Sequence, residues 1–295
     1  LVLVALMIVI VVPSVVSTTY IVNSKLVEGS MIMDIWKNPK YKQQFKVHPF
    51  FVMNPEEILN GSTPIVKELG AYVFDKTINN EVISSGNGVV NFKRKTVYHF
   101  NKEDSCKDCS LDDRLWVPNL MYQKFVEVAS REETREGAQS LLANSPFIQV
   151  SMDELVFKGY TDPYFETFCF LPLFNTFCKN VFDLPDRVGL FYGYNNSYIE
   201  GEFTIADGTF DIAERGRMIV FNHKNEFPEN WWDNAKARVL RSNEGSLFPP
   251  FIRRDDILHT FARSLCRDIS LQYEKDTTTR DISTYRFRIS PTSFD

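Results

Sequence analysis

The chain opens on LVLVALMIVIVV, twelve apolar residues in a row, and its first charged residue is Lys25. An uncharged stretch of 24 residues is long enough to cross a bilayer, because the hydrocarbon core is about 30 Å thick and a helix rises about 1.5 Å per residue. Pro13, Ser14, Ser17, Thr18 and Thr19 weaken its second half. A proline and a few hydroxyls are nonetheless tolerated in spanning helices, where neighbouring groups satisfy the freed backbone. A cleaved secretory signal, with SVVS as its small-residue site, is the competing reading. A buried strand fits worst, since an apolar run of this length exceeds ordinary strands. The pattern favours an anchor over residues 1–24 and places residues 25–295 outside the cytosol. The absent initiator methionine predicts a fragment.

That compartment decides how the cysteines are read. Cys106 and Cys109 form a CxxC, Cys169 and Cys178 a second close pair, and Cys266 stands alone. In the cytosol such pairs would suggest zinc or redox chemistry; behind a membrane segment they predict disulfides. The setting KEDSCKDCSLDD is a polar loop, unlike the strand-then-helix of a redox CxxC. Cys169 and Cys178 are expected to bond each other, and Cys106 and Cys109 to bond locally or stay reduced. Cross-pairing between the two groups is the alternative, which spacing does not separate. Asn60-Gly61-Ser62 and Asn195-Asn196-Ser197 are expected glycan acceptors.

Charge excludes other classes. The net charge is −5 without long like-charge blocks, so no nucleic-acid partner is indicated. The densest basic run, Lys93-Arg94-Lys95, reads as a solvated strand end beside TVYHF. The 25 phenylalanines suit a large aromatic-rich β core.

Along the chain, SMIMDIWKNP predicts a helix and QQFKVHPFFVMN a strand. NPEEILNG predicts a short helix with Asn54 as cap, Pro55 first, Glu57 closing a capping box and Gly61 as stop. Alternation through 64–100, with a turn at Gly86-Asn87-Gly88, predicts paired strands. A helix is expected over 118–143 within a helical insert at about 118–160. RVGLFYGY, EGEFTIADGTFDIA, RMIVFNH and STYRFRI read as strands, and RDDILHTFARSL as a short helix. His48, His99, His223 and His259 have no ligand-spaced partner, and no nucleophile elbow, phosphate loop or dinucleotide fingerprint occurs. The acidic pairs Asp112-Asp113 and Asp255-Asp256 sit in polar or capping contexts. No catalytic residue, metal or cofactor is expected, and a receptor or carrier is favoured over an enzyme.

Several stretches, in order, resemble the class B scavenger receptor family. The longest is GSLFPPFIRRDDILHTFARSLCRDISLQYEKDTTTRDISTYRFRI, with an FPPF segment, a cysteine-arginine pair at Cys266-Arg267 and a YRF strand at Tyr285-Arg286-Phe287. FFVMNPEEILNGSTPIVKELGAYVF is similar to the family's asparagine-proline helix and G-P-Y strand, with Ala71 in place of the proline. VPNL precedes the apical helices, GYTDPYF closes them, and GLFYGYNNSY is similar to a glycine-aromatic strand ending in a sequon. TFCFLPLFNTFCKNVFDLPD is a departure, longer than usual and with its own two cysteines.

The resemblance implies an α+β fold: an antiparallel β-barrel-like ectodomain core (25–295, C-terminally incomplete) with an apical helical insert, preceded by a transmembrane helix (1–24). It implies a plasma-membrane or lysosomal-membrane location, with the ectodomain extracellular or lumenal. It further implies an apolar tunnel that binds or passes lipids, whether fatty acids, sterols, phospholipids or lipoprotein particles, with Phe125 and Leu142 as candidate rim residues. Cys266 would bond a cysteine beyond residue 295. The alternative is a sorting receptor that holds a protein ligand, a lysosomal hydrolase, at the apical helices. The absence of histidine from 118–143 counts against that branch. Mixed charges there, Lys124, Arg131 and Arg135 against Glu127, Glu132, Glu133 and Glu136, also argue against capture of anionic particles.

Overall fold

Alternation in VVNFKRKTVYHF turns Val90, Phe92, Arg94 and Thr96 to one buried face, because successive side chains of a strand take opposite sides. The structure, a computed structural model, describes residues 11–12, 14–17, 19–20, 24–40, 43–129, 146–171, 175–176, 178, 180, 185–198, 201–229 and 231–294.

Among these residues the strands are β1 (Gln43–Val47), β2 (Phe50–Val52), β3 (Val66–Glu68), β4 (Tyr72–Gly86), β5 (Val89–Phe100), β6 (Arg114–Pro118), β7 (Phe147–Ser151), β8 (Glu202–Ala206), β9 (Met218–Phe221), β10 (Leu258–Ala262), β11 (Arg267–Thr279) and β12 (Ile282–Ile289). The helices are α1 (Met31–Lys37), α2 (Pro55–Leu59), α3 (Leu120–Ala129) and α4 (Pro163–Phe170), with a π-helical turn at Glu154–Lys158.

The sheets have the orders β1-β4-β5-β8-β9, β10-β11-β12, β2-β3 and β6-β7. The fold is thus mainly β with some helices. No sheet among the described residues closes into the expected barrel. No helix among them is long and apolar enough to cross a membrane; residues 1–10, 13, 18 and 21–23 of the expected anchor lie outside them.

The chain divides into two compact units, one formed by 1–41, 78–95 and 198–295, the other by 42–77 and 96–197. In the first unit, Ser30 caps α1 by accepting the Met33 amide at 3.2 Å, and the helix buries Met33 and Trp36. Trp36 meets the Phe92 ring edge-on at 4.6 Å, and Phe92 stacks on Phe203 at 5.3 Å. Arg94 corrects the solvated-run expectation. Strand alternation puts it on the core face, where its guanidinium pairs with the Glu244 carboxylate and donates to Asn80 Oδ1 at 2.9 Å. Trp36 Nε1 donates to the same carboxylate at 3.2 Å, and Asn80 Nδ2 to the Trp36 carbonyl at 2.7 Å. A buried charge survives only when paired and hydrogen-bonded in this way.

The second unit packs Tyr72, Phe74, Leu115, Val117, Val150 and Met152 into its core. Phe45, Tyr98, Phe157 and Phe191 form an aromatic cluster against it, with centroids 5.0 Å apart for Phe45–Phe191 and for Tyr98–Phe157. Such pairs contribute about 0.5–1.5 kcal/mol each beyond the area they bury.

Four local expectations are corrected. Asn54 does not cap α2; its amide instead donates to the Thr63 carbonyl at 3.1 Å and accepts from Ile65 N–H at 2.8 Å, closing the following loop. Residues 258–262 of RDDILHTFARSL are strand β10, because they pair with β11 from Leu258↔Leu271 to Ala262↔Arg267. RVGLFYGY forms only a bridge at Val188, to Tyr160, before turning. Within 118–160, α3 is described to Ala129, but Phe147–Ser151 is strand, paired with β6.

Candidate functional site

The motifs VPNL and GYTDPYF supply the starts of α3 and α4. Asn119 Oδ1 accepts the Tyr122 amide at 3.3 Å, and Asp162 Oδ1 accepts those of Tyr164 at 2.8 Å and Phe165 at 3.3 Å. These are the orphan donors of a first helical turn, and Pro163 opens α4, where a missing N–H is harmless. Asn119 Nδ2 also donates to Asp162 Oδ2, so the two caps are tied together, both buried. Leu120 N–H donates to the Tyr160 hydroxyl at 3.2 Å. Burial pushes the Tyr160 pKa up, with Asp162 adding to it against the Leu120 hydrogen bond.

A cavity of about 420 Å³ lies against this paired start. Met121, Phe165, Cys169, Phe170 and Cys178 supply apolar wall; Glu166, Asp186 and Arg187 supply charge. Its volume falls in the range of small-molecule pockets, about 300–1,000 Å³. Arg187 Nη1 is held by the Gly159 carbonyl at 2.8 Å. Gly159 has φ +69°, and a Cβ there would meet the Tyr192 ring at 2.8 Å, so only glycine fits.

Phe125 does not line this cavity. It is buried on α3 with its ring 5.1 Å from Phe165, a wall residue that it supports. Leu142 lies outside the described residues. Sulfur bridges join Cys106 to Cys109 and Cys169 to Cys178, the second within the cavity wall. Cys266 is free; its carbonyl accepts Trp232 Nε1 at 2.7 Å. Asn60 is exposed after α2. Asn195 is exposed as well, although its amide accepts from Tyr98 N–H at 2.9 Å and donates to the Tyr98 carbonyl at 3.2 Å.

The fold gathers one serine, histidine and aspartate that sequence reasoning left apart. Ser270 Oγ at 3.3 Å and Asp268 Oδ2 at 3.0 Å both approach Nδ1 of His259. A nucleophile–base–orienter relay needs the two partners on different ring nitrogens, so this trio is a structural cluster, completed by Arg241 on Asp268 at 2.7 Å. Among the described residues no group of three or more His, Cys, Asp or Glu could hold a metal ion. The cavity carries apolar wall and charges of both signs, which suits binding an amphipathic molecule; in its wall Thr161 Oγ1 donates to Glu166 Oε2 at 3.1 Å.

Comparison with known proteins gives the chain its relatives. The family model for the CD36 family matches residues 1–295. Scavenger receptor class B member 1 of Mus musculus is 26% identical over 291 residues, 96% of this chain and 54% of that protein. Its Sus scrofa counterpart is 27% identical over 293 residues, 97% of this chain and 55% of that protein. Lysosome membrane protein 2 of Homo sapiens is 26% identical over 265 residues, 88% of this chain and 53% of that protein. The chain spans about half the length of these curated relatives. With a family match running from the first residue to the last, the chain belongs to the CD36 family, a family of membrane glycoproteins that includes scavenger receptors.

Proposed function

We propose that the protein is a membrane-anchored scavenger receptor-like protein, not an enzyme, which binds and passes lipids through its ectodomain. Residues 1–24 are its N-terminal membrane helix and 25–295 part of an ectodomain whose barrel-like core is completed by chain outside this sequence. The protein resides in the plasma or lysosomal membrane, with glycans on Asn60 and Asn195, and Cys266 bonds a cysteine beyond residue 295. The observation that carries the reading is the cavity of about 420 Å³ beside the paired starts of α3 and α4, in a chain of this family. An acyl chain entering such a cavity gains about 0.8 kcal/mol per buried methylene. The cavity is then the mouth of the apolar tunnel, and fatty acids, sterols or phospholipids are its cargo.

Titration of the purified chain with a fluorescent fatty acid and a fluorescent sterol tests this. Phe170, a wall residue that is 83% exposed, can be changed to Glu without disturbing the core, and that variant should bind at least one lipid about tenfold more weakly. A folded wild type that binds neither lipid overturns the reading, and capture of a protein ligand at the apical helices then takes its place.

A further inference from the structure

The first unit carries a second and larger cavity, a groove of about 910 Å³. Val16, Val27, Met31 and Ile35 supply its apolar wall. Met31 and Ile35, four positions apart on α1, are 63% and 52% exposed, whereas Met33 and Trp36 of the same helix face the core. The helix therefore shows apolar side chains on its outer face as well. Tyr20, from the helical residues 19–20, places its hydroxyl 4.0 Å from Met31 Sδ across the groove. Among the described residues no acidic side chain lines the groove, but two cations do, Lys25 and Arg215.

Arg215 is the unusual member. It is 6% exposed. Its Nη1 donates to the Ser24 carbonyl and hydroxyl, each at 2.8 Å, and its Nη2 to the Phe248 carbonyl at 2.9 Å. Its Nε–H has no acceptor, and no carboxylate of the described residues pairs with it. The other buried arginine of this unit, Arg94, meets Glu244; Arg215 meets only neutral oxygens. Burial accordingly pushes its pKa down. Buried charges are ordinarily paired, so this guanidinium brings a charge that no carboxylate of the described residues compensates to a groove lined with hydrocarbon.

We propose that the groove binds an anionic phospholipid of the surrounding membrane, with its phosphate at Arg215 and Lys25 and an acyl chain along Val27, Met31 and Ile35. Continuity with the uncharged residues 1–24 selects a bilayer lipid as occupant, because the proposed anchor leaves the membrane beside these residues. The inference rests on the anchoring part of the proposed function and is independent of the apical cavity.

The chain is reconstituted into nanodiscs of phosphatidylcholine containing phosphatidylserine and oleate, and lipids retained after mild delipidation are counted by native mass spectrometry. Wild type should retain phosphatidylserine over phosphatidylcholine. Arg215→Gln should lower that preference about tenfold, the worth of one charge-assisted hydrogen bond, and Arg215→Lys should keep most of it. Ile35→Asp, on the exposed face, should reduce retention of every lipid. If Arg215→Gln fails to fold by circular dichroism, Lys25→Gln and Ile35→Asp decide. Retention unchanged in both overturns the proposal. Retention of oleate in place of phosphatidylserine overturns it in favour of a diffusing fatty acid. A protein that resists alkaline carbonate extraction but holds no anionic lipid overturns the site and leaves the anchor standing; release by carbonate overturns the anchor itself.

Discussion

The two units bury similar aromatic cores but secure them by opposite means. The first relies on one long-range polar network, in which Arg94 and Glu244 are 150 positions apart and share partners with Trp36 and Asn80. The second uses separate devices: bridges closing 3 and 9 positions, and one cap-to-cap hydrogen bond between Asn119 and Asp162, 43 positions apart. A network of buried charge fails as a whole when one member goes, because the survivor is left uncompensated. Local staples and caps fail singly.

The contrast predicts a graded series. Glu244→Ala should cost about 3–5 kcal/mol of stability in denaturant titration, with amide exchange accelerating across β5 and α1. The double change Arg94→Met with Glu244→Leu should recover most of it, and no recovery would break the contrast. Replacing Cys169 and Cys178 with Ser should cost about 2–3 kcal/mol in the chain-entropy model, with faster exchange confined to the second unit. Spread into β8 or β9 would show that the staple is not a local device. Asp162→Ala should cost about 0.5–2 kcal/mol as a lost cap and expose α4 amides, while Asp162→Asn should retain most of the stability.

The smallest effect is acid-dependent. Glu154 Oε2 accepts the Ser151 amide at 2.8 Å, and Ser151 Oγ accepts the Glu154 amide at 3.2 Å. The Ser151 backbone bond is the largest cause holding the Glu154 pKa below its ordinary value of 4.5, with the Ser151 side chain, Arg114 and Arg187 adding and burial opposing. A carboxyl depressed on folding stabilises above its unfolded pKa and loses that stabilisation as pH falls through its folded one. Glu154→Gln should therefore lower stability at neutral pH by less than about 1 kcal/mol, since the group is partly exposed. The difference from wild type should shrink as pH falls below 4.5 and vanish once pH is below the depressed pKa of the folded state; a difference persisting there would mean that packing, not charge, is lost.

That pair also shows what sequence could and could not supply. SMDE carries the spacing of a reciprocal capping box, and the structure makes it there. The box expected at Asn54 and Glu57 is not made, because the Asn54 amide is claimed by Thr63 and Ile65. Period-two strands such as β5 and β12 were legible from alternation alone. Strand β10 was not, since its state is decided by pairing with β11 and not by its own pattern. Arg94 was misjudged for a related reason: alternation pointed it inward, but its partner lies far along the chain. Of the apical site, the two motifs were visible as landmarks. That their Asn and Asp bond each other, and that Arg187 and Tyr192 join the cavity, follows from tertiary contacts no spacing encodes.

The separation of Arg94 from Glu244 has a further meaning during biosynthesis. The residues of the second unit all lie within 42–197, whereas the first also draws on 198–295. At about 5–20 residues per second, the 150 positions between the two partners take the ribosome about 8–30 s. Throughout that interval the inward face of β5 carries a cation without its counter-ion, and it cannot be desolvated. The inward face of β5 therefore cannot close around Arg94 before Glu244 has been made.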